Sequence, residues 1–426
     1  MLRNYLLTAY KVFMRRKLFT AINLTCIVLT LVVLMVITAL LETAFFPSGV
    51  EGRSERMLQV YGIRNEGPNS STMRTSLMGY KAVEQALKPL SLKPDLGVER
   101  VSAFTVPTSV SVYQGDRVSE LDMRRVDAEY WKILDFKLLA GRLPNADDEQ
   151  AGRMVAVINA STARRLFGTA GAAGHAVGHA VGQTIAASGQ RFQIIGVVED
   201  ALQINAYADM WAPLTTFPSS HYRNEITGDF AAMLLARGPA DLPRIRQEVE
   251  HAAKIFVTED PRTYPTTQFW ADSKLDVIAR ALLSNQSRAD SGGGQLLATI
   301  GGGMLVFMLL PALNLVNLNT GRILERSAEI GVRKAFGATS LQLVGQLVVE
   351  NVLLCLVGGL LGLACTRLAL WWLEASQLIP YLEVHLNASV FACGMLLAFV
   401  FGLLSGVIPA WKMSRLDPVH ALKGAA

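Results

Sequence analysis

Four apolar runs constrain this chain more than any other feature: Leu18 to Phe46, Leu296 to Leu318, Leu341 to Leu373, and about Ala388 to Ala410. Each exceeds the roughly 20 residues an α-helix needs to cross the hydrocarbon core of a bilayer. No water there satisfies open backbone groups, so such runs must be helices. Mean hydropathy over the 426 residues is +0.31, and it is concentrated in these runs. The expected fold is therefore a membrane protein with four transmembrane α-helices. A large α+β extracytoplasmic domain is inserted between helices 1 and 2.

Charge then sets the orientation. Residues 1–17 carry Arg3, Lys11, Arg15, Arg16 and Lys17 and no acid, while Leu2, Tyr5, Leu6, Ala9, Val12 and Phe13 recur at helical spacing. That pattern describes an amphipathic helix on the cytoplasmic leaflet. A cleaved signal peptide is the weaker reading, because the following run is too long and no small-x-small site lies close behind it. With the basic N-terminus inside, the first span is 18–46, the external domain 47–294 and the second span 295–318. A cytoplasmic helix and turn occupy 319–340, the third span 341–373, a short external loop 374–387, the fourth span 388–410 and a cytoplasmic tail 411–426. Every basic cluster falls on one side, and both termini are cytoplasmic. Trp371, Trp372 and Tyr381 suit an outer aromatic belt. The net charge of +5 and pI near 9.0 belong to these cytoplasmic ends. No nucleic-acid-binding motif accompanies them.

The 47–294 segment reads as a folded domain, with two subdomains expected. Val98–Thr105 and Ser109–Tyr113 alternate like half-buried strands, the second ending in a Gln114-Gly-Asp116 turn. Arg153–Asn159 and Arg191–Val198 are further strands, with helices over 161–167 and 242–256. All four cysteines (Cys26, Cys355, Cys365 and Cys393) lie in the apolar runs, so this domain builds its core without disulfides. The duplicated Gly174-His-Ala-Val and Gly178-His-Ala-Val place His175 and His179 four apart. Glycines on both sides argue for a duplicated loop, and no carboxylate or cysteine stands nearby to complete a metal site. Ser291-Gly-Gly-Gly294 reads as a flexible joint before the second span.

The most charge-patterned stretch of the C-terminal half is Glu325-Arg-Ser-Ala-Glu-Ile-Gly-Val-Arg-Lys-Ala-Phe-Gly-Ala-Thr339. Glu329 and Arg333 are four apart with the acid first, the order that favours a helix. Gly337 suits a helix C′ position, and Thr339 with Gln342 suits a capping box opening the next helix. Within the spans, Gly358 with Gly362 and Gly402 with Gly406 are small residues four apart that permit close helix approach. Pro311 is placed to kink the second span. Gln342, Gln346 and Glu350 share a face of the third helix, and Glu350 is expected near an interface or against a partner helix. No P-loop, H-E-x-x-H or G-x-S-x-G occurs. No catalytic or metal-binding residues are expected, and the chain reads as something other than an enzyme.

Arg326-Ser-Ala-Glu-Ile-Gly-Val-Arg-Lys-Ala-Phe-Gly-Ala-Thr339, then Gln346, Glu350 and Gly358-Gly-Leu-Leu-Gly362, resembles the MacB/FtsX-type permeases of ABC transporters. Pro409-Ala-Trp-Lys and Arg415-Leu-Asp-Pro-Val-His-Ala-Leu422 agree. Asp127-Ala-Glu-Tyr-Trp, Leu139-Ala-Gly-Arg142, Val155-Ala-Val-Ile-Asn, Leu166-Phe-Gly168 and Ile195-Gly-Val-Val look like that family's periplasmic core domain. Tyr222 to Asp290 carries no motif of the family.

The resemblance implies a permease subunit in a bacterial inner membrane that couples ATP hydrolysis by a separate ABC ATPase to motion of its periplasmic domain. It implies no cofactor on this chain, with ATP and Mg on the partner, and a second permease copy as a homo- or heterodimer. A periplasmic adaptor and an outer-membrane duct are further expected partners, besides the lipid bilayer. Arg326, Glu329, Ile330, Gly331, Arg333, Lys334 and Gly337 would form the ATPase-coupling site. Export of antibiotics, peptides or other amphiphiles is the leading activity. Lipoprotein release of the LolC/LolE type and FtsX-like signalling to a cell-wall hydrolase are the alternatives.

Overall fold

The computed structural model describes residues 13–15, 17–45, 49–68, 72–114, 117–168, 173–258, 260–285, 289–325, 339–376, 378, 391–392, 395–396, 399–400 and 403. The chain divides into two compact units, one of residues 1–42 with 297–426 and one of residues 43–296. The helices used below are α1 (Lys17–Phe45), α2 (Ala160–Phe167), α3 (Ala173–Ala180), α4 (Leu242–Ile255), α5 (Lys274–Leu283), α6 (Gly293–Glu325) and α7 (Ser340–Ser376).

The 43–296 unit is α+β. Its strands are β1 (Met57–Val60), β2 (Gly62–Glu66), β3 (Met73–Met78), β4 (Val98–Thr105), β5 (Thr108–Gln114), β6 (Arg117–Val126) and β7 (Leu138–Gly141). They continue with β8 (Val155–Asn159), β9 (Thr184–Ala187), β10 (Gln190–Val198), β11 (Met210–Pro213), β12 (Thr227–Gly228), β13 (Phe230–Ala236) and β14 (Thr266–Gln268). The pairings β11–β8–β10–β9–β5–β6 return from β6 to β11, so six strands close on themselves. Closure removes the open edges that would otherwise invite association. Inward residues such as Val112, Leu121, Ile158, Ile185, Phe192 and Met210 fill the interior. Between β8 and β10, which run parallel, the crossover is made by α2 and α3, as a parallel pair requires.

The path continues as an open sheet, β4–β13–β3–β2–β14, with β1 added along β13 and β12 along β3, while β7 pairs with β10. Ile245 and Val249 of α4 share a core with Leu58, Val60, Ile63 and Val101. A second core is aromatic. Tyr130, Trp131, Phe136 and Trp211 meet at centroid separations of 5.1 to 6.1 Å, within the range that favours edge and tilted contacts.

Periodicity locates these elements well: strands at 98–105, 108–114, 155–159 and 190–198 and helices at 160–167 and 242–255 lie where it puts them. Two local expectations are overturned. The duplicated 174–181 segment is helical over Ala173–Ala180, because its alanines favour a helix more than the intervening glycines oppose it; Ala180 closes onto the ring interior. Among the described residues no cluster of three or more His, Cys, Asp or Glu is placed to hold a metal. The Ser291–Gly294 segment is a fastening, described below.

In the other unit, Thr20–Glu42 and Val348–Ser376 are long and apolar enough to span a bilayer, and Gly293–Phe307 is a shorter apolar stretch. α6 continues as helix through Pro311. Its Leu305, Val306 and Leu313 are exposed, as are Leu360, Leu368, Trp371 and Trp372 of α7. Apolar side chains turned outward along a helix suit lipid as the surrounding solvent.

Candidate functional site: the α1–α7 contact and the base of the α+β domain

Small residues set how α7 meets α1. A Cβ built on Gly358 would stand 2.6 Å from Ile27 Cγ2, and one on Gly362 would stand 3.3 Å from Leu31 Cβ. One turn further, the Thr366 hydroxyl, which donates to Gly362 O at 2.8 Å, lies 3.7 Å from Met35 Sδ. Ile27, Leu31 and Met35 therefore meet Gly358, Gly362 and Thr366 in order, each step four residues. Both helices advance together, so they run parallel. Backbones approach this closely only where side chains are small. Leu354 and Cys355 extend the seam.

Toward the start of α7, Glu350 and Asn351 are buried, at 3% and 5% exposure, as is Asn23 of α1 at 1%. Polar groups of this kind in an apolar helix pair face another helix, which accords with Glu350 turning toward a partner. At its N-terminus α7 is capped reciprocally. Gln342 N donates to Thr339 Oγ1 at 3.4 Å and Thr339 N to Gln342 Oε1 at 3.1 Å, the capping box read from the sequence. Arg326, Glu329, Ile330, Gly331, Arg333, Lys334 and Gly337 lie outside the described residues, as do Gly402 and Gly406.

The α+β unit fastens both of its chain ends to one place. Glu51, six residues beyond the end of α1 at Phe45, is fully buried. Its Oε1 accepts from Asn205 N at 3.1 Å and Asn205 Nδ2 at 2.8 Å, and its Oε2 lies 3.0 Å from Lys274 Nζ. Lys274 is itself only 5% exposed and is the first residue of α5, the helix that precedes α6. Asn205 also accepts on its carbonyl from Arg124 Nη1 and the Tyr130 hydroxyl, both at 2.6 Å, and on Oδ1 from the Tyr61 hydroxyl at 2.9 Å. Burial pushes the Tyr61 and Tyr130 hydroxyls up, the latter to about 12. They remain neutral donors.

The second fastening starts from β1. Gln59 and Asp272 exchange backbone hydrogen bonds, each 2.8 Å. The Asp272 carboxylate accepts from Arg280 Nε at 2.7 Å and Nη2 at 3.1 Å. Burial raises the Asp272 pKa, and the Arg280 guanidinium opposes that rise. Arg280 also donates to Asn285 O and Ala289 O. Ser273 and Asp276 form a capping box at the start of α5. The Asp276 carboxylate additionally accepts from Ser291 Oγ at 2.5 Å and from Arg246 Nη2 at 3.0 Å. Burial acts to raise Asp276, but the Ser273 and Ser291 hydrogen bonds outweigh it and hold the carboxyl below its usual range.

Gly293 N donates to Ser291 Oγ at 3.2 Å, and α6 begins there. The serine–glycine stretch is thus held to α5 rather than left as a flexible joint. Its glycine content serves geometry: Gly292 has φ +78°, and a Cβ on it would meet Asn285 Nδ2 at 2.6 Å. Glu51, Asn205 and Lys274 escape a reading of the sequence, since their partners come from distant parts of the chain, and the Asp272–Arg280 pair, eight residues apart, matches no helical pair spacing. The one signal was Ser273-x-x-Asp276 before an apolar run, a capping-box pattern.

An α+β domain with an apolar helix at each chain end, the first of them running parallel to a third through a glycine seam, is the architecture of a membrane permease with an extracytoplasmic domain. A family described as the MacB-like periplasmic core domain matches residues 20–252, and one described as the FtsX-like permease C-terminal domain matches residues 301–418. The chain belongs to the MacB/FtsX-like family of ABC transporter permeases.

It is 26% identical over 346 residues to the ABC transporter permease YknZ of Bacillus subtilis, covering 80% of each chain. It is 26% identical over 326 residues to the macrolide export ATP-binding/permease protein MacB of Shewanella oneidensis. That match covers 75% of this chain and 46% of the exporter, so the chain spans less than half of that relative's length. Among solved structures, the periplasmic region of MacB from Actinobacillus actinomycetemcomitans aligns at TM-score 0.40 with 15% identity, covering 55% of this chain and 96% of that one. The extracellular domain of YknZ aligns at TM-score 0.35 with 16% identity, covering 49% and 98%.

Proposed function

We propose that the chain is the permease subunit of an ABC transporter that exports amphiphiles, antibiotics or peptides, acting as a mechanical transmitter. A separate ATPase, which binds ATP and Mg, docks on Arg326, Glu329, Ile330, Gly331, Arg333, Lys334 and Gly337. The four spans lie at 18–46, 295–318, 341–373 and 388–410, with both termini in the cytoplasm. Two permease copies work together, and the macrolide export named for the MacB relatives is the kind of cargo expected. A periplasmic adaptor and an outer-membrane duct would receive it.

The observation that carries this reading is the in-register packing of α1 on α7 through Gly358 and Gly362. α7 begins directly after the docking segment, so a push on its N-terminus is delivered along the seam to α1. α1 leads within six residues to Glu51, which is bonded to Lys274 at the head of α5. A buried ion pair resists separation, because parting it leaves two desolvated charges. The two chain ends of the α+β domain are thereby tied to each other.

The test is Glu329→Lys in the full chain co-expressed with the ATPase that co-purifies with it. Membrane insertion is expected to be unchanged, while stimulation of ATP hydrolysis by the permease falls at least about tenfold, equivalent to ~1.4 kcal/mol of lost coupling. Unaltered transport by this variant would remove the docking assignment. Recovery of no ATPase at all from native membranes would sink the permease reading itself.

A further inference from the structure

Beside the Asp272–Arg280 pair the α+β unit holds a cavity of about 630 Å³, the size of sites that take drug-sized molecules. One wall comes from β2 and β3, with Met73, Thr75 and Leu77, and the other from α5, with Val277 and Ala281. Trp270 lines it too, its indole stacked against the Arg280 guanidinium at 4.8 Å. At its rim Met73 and Ile204 are 52% and 38% exposed, large apolar side chains left facing water around a concavity. A flexible thioether lining the same concavity as an indole adapts to ligands of varied shape.

The charges in the wall cancel. Both Asp272 oxygens accept from Arg280, and Arg280 spends Nε and Nη2 on Asp272, Nη1 on Asn285 O and Nη2 also on Ala289 O. An ionic ligand would therefore lose its hydration without gaining a counter-charge. The Thr75 and Ser284 side chains supply polar handles.

We propose that this cavity is a binding site for uncharged aromatic amphiphiles. The inference rests on the permease reading and names a ligand class for it. A ring packs among Trp270, Leu77 and Val277, and a hydroxyl or amide meets Thr75 or Ser284. Because α5 contributes Val277, Arg280 and Ala281, and Asp276 of the same helix holds Ser291, occupancy stiffens the segment from which α6 starts.

The test uses the full chain in lipid nanodiscs with Cys26, Cys355, Cys365 and Cys393 replaced by alanine and Thr75→Cys introduced. A membrane-impermeant maleimide reports access to the cavity, and chloramphenicol serves as the uncharged aromatic probe. Saturating probe is expected to slow alkylation of Thr75→Cys at least about fivefold, as for a pocket that buries most of a small ligand. A control at exposed Ser91→Cys keeps its rate, and 4-nitrobenzoate, an aromatic anion, gives no protection at Thr75→Cys. Adding Trp270→Ala abolishes the protection. Ala281→Trp, at an exposed position of α5, does the same by filling the mouth, and it decides the matter if Trp270→Ala melts early. Unchanged alkylation with chloramphenicol, equal slowing at Ser91→Cys, or equal protection by the anion would each overturn the site. None of these results touches the ATPase co-purification that tests the permease reading.

Discussion

Between α1 and α7 the contacts are Gly358 on Ile27 and Gly362 on Leu31. At the base of the α+β domain they are Glu51 on Lys274 and Asp272 on Arg280. The first seam depends on shape and the second on charge. In lipid, apolar surface gains little by leaving its surroundings, so two helices hold together through close van der Waals approach. In a water-soluble domain, a buried ion pair is costly to form and still more costly to halve. A shape seam is lost by crowding, as a side chain at Gly358 would crowd Ile27, whereas an ion pair is lost by removing one charge. That difference suits a helix pair that passes on motion and a base that has to stay closed.

The largest effect should come from halving the buried pair. Lys274→Ala leaves Glu51 charged and 0% exposed, with Asn205 as its only remaining neighbour among the contacts described, and should cost about 3–5 kcal/mol. Thermal unfolding of the full chain in nanodiscs measures it. Glu51→Gln combined with Lys274→Met removes both charges, while the Gln oxygen still accepts from both Asn205 donors. That double variant should regain most of the loss. If Lys274→Ala melts with wild type, the base is not held by charge and the contrast with the helix seam disappears.

A smaller effect is expected at the seam. Gly358→Leu drives a side chain into Ile27 and should cost about 1–3 kcal/mol, the usual range for overpacking. The readout is oxidative cross-linking between Met35→Cys and Thr366→Cys, in a background free of the native cysteines. Linking should be efficient while Gly358 is kept and largely lost once Gly358→Leu is added, with melting of the α+β domain unchanged. Loss of both signals together would mean that the helix seam and the α+β domain are not independent.

The sequence was legible where the physics is local. Apolar run length located α1 and α7, strand alternation located β4, β5, β8 and β10, and Thr339 with Gln342 announced the cap of α7. Gly358 and Gly362, read by their spacing as small residues permitting close approach, lie where an added Cβ would crowd Ile27 and Leu31. The base was illegible for the opposite reason. Glu51 and Lys274 are 223 positions apart in the chain (274 − 51), and nothing in either neighbourhood distinguishes a buried charge from a surface one. Closure of six strands into a ring likewise depends on the parallel β6–β11 pairing, which no local pattern encodes. The histidine repeat misled because helix propensity is a weak prior that packing overrides, and Ala180 of this helix packs into the ring interior.

The smallest effect lies at Asp148, a third kind of contact that refines the comparison. Its carboxylate is out of solvent, but it is covered by Arg142 and Arg153, which are themselves 49% and 55% exposed. It is therefore buried only one side chain deep, and water still screens it. Arg142 foremost, with the Asn145 backbone and Arg153, holds its carboxyl at about 2, below its ordinary 3.8. A depressed carboxylate stabilises the fold above its unfolded-state value and loses that contribution as pH falls toward the folded one. Stability from Asp148 should accordingly be complete above about pH 4 and fade between there and about pH 2. Asp148→Asn should lower stability at pH 7 by no more than about 1 kcal/mol, since a solvent-screened pair is worth little. It should also flatten the acid limb of a melting-temperature-against-pH curve over that window. A loss near that of Lys274→Ala would show that depth of burial is not what separates the two charge contacts.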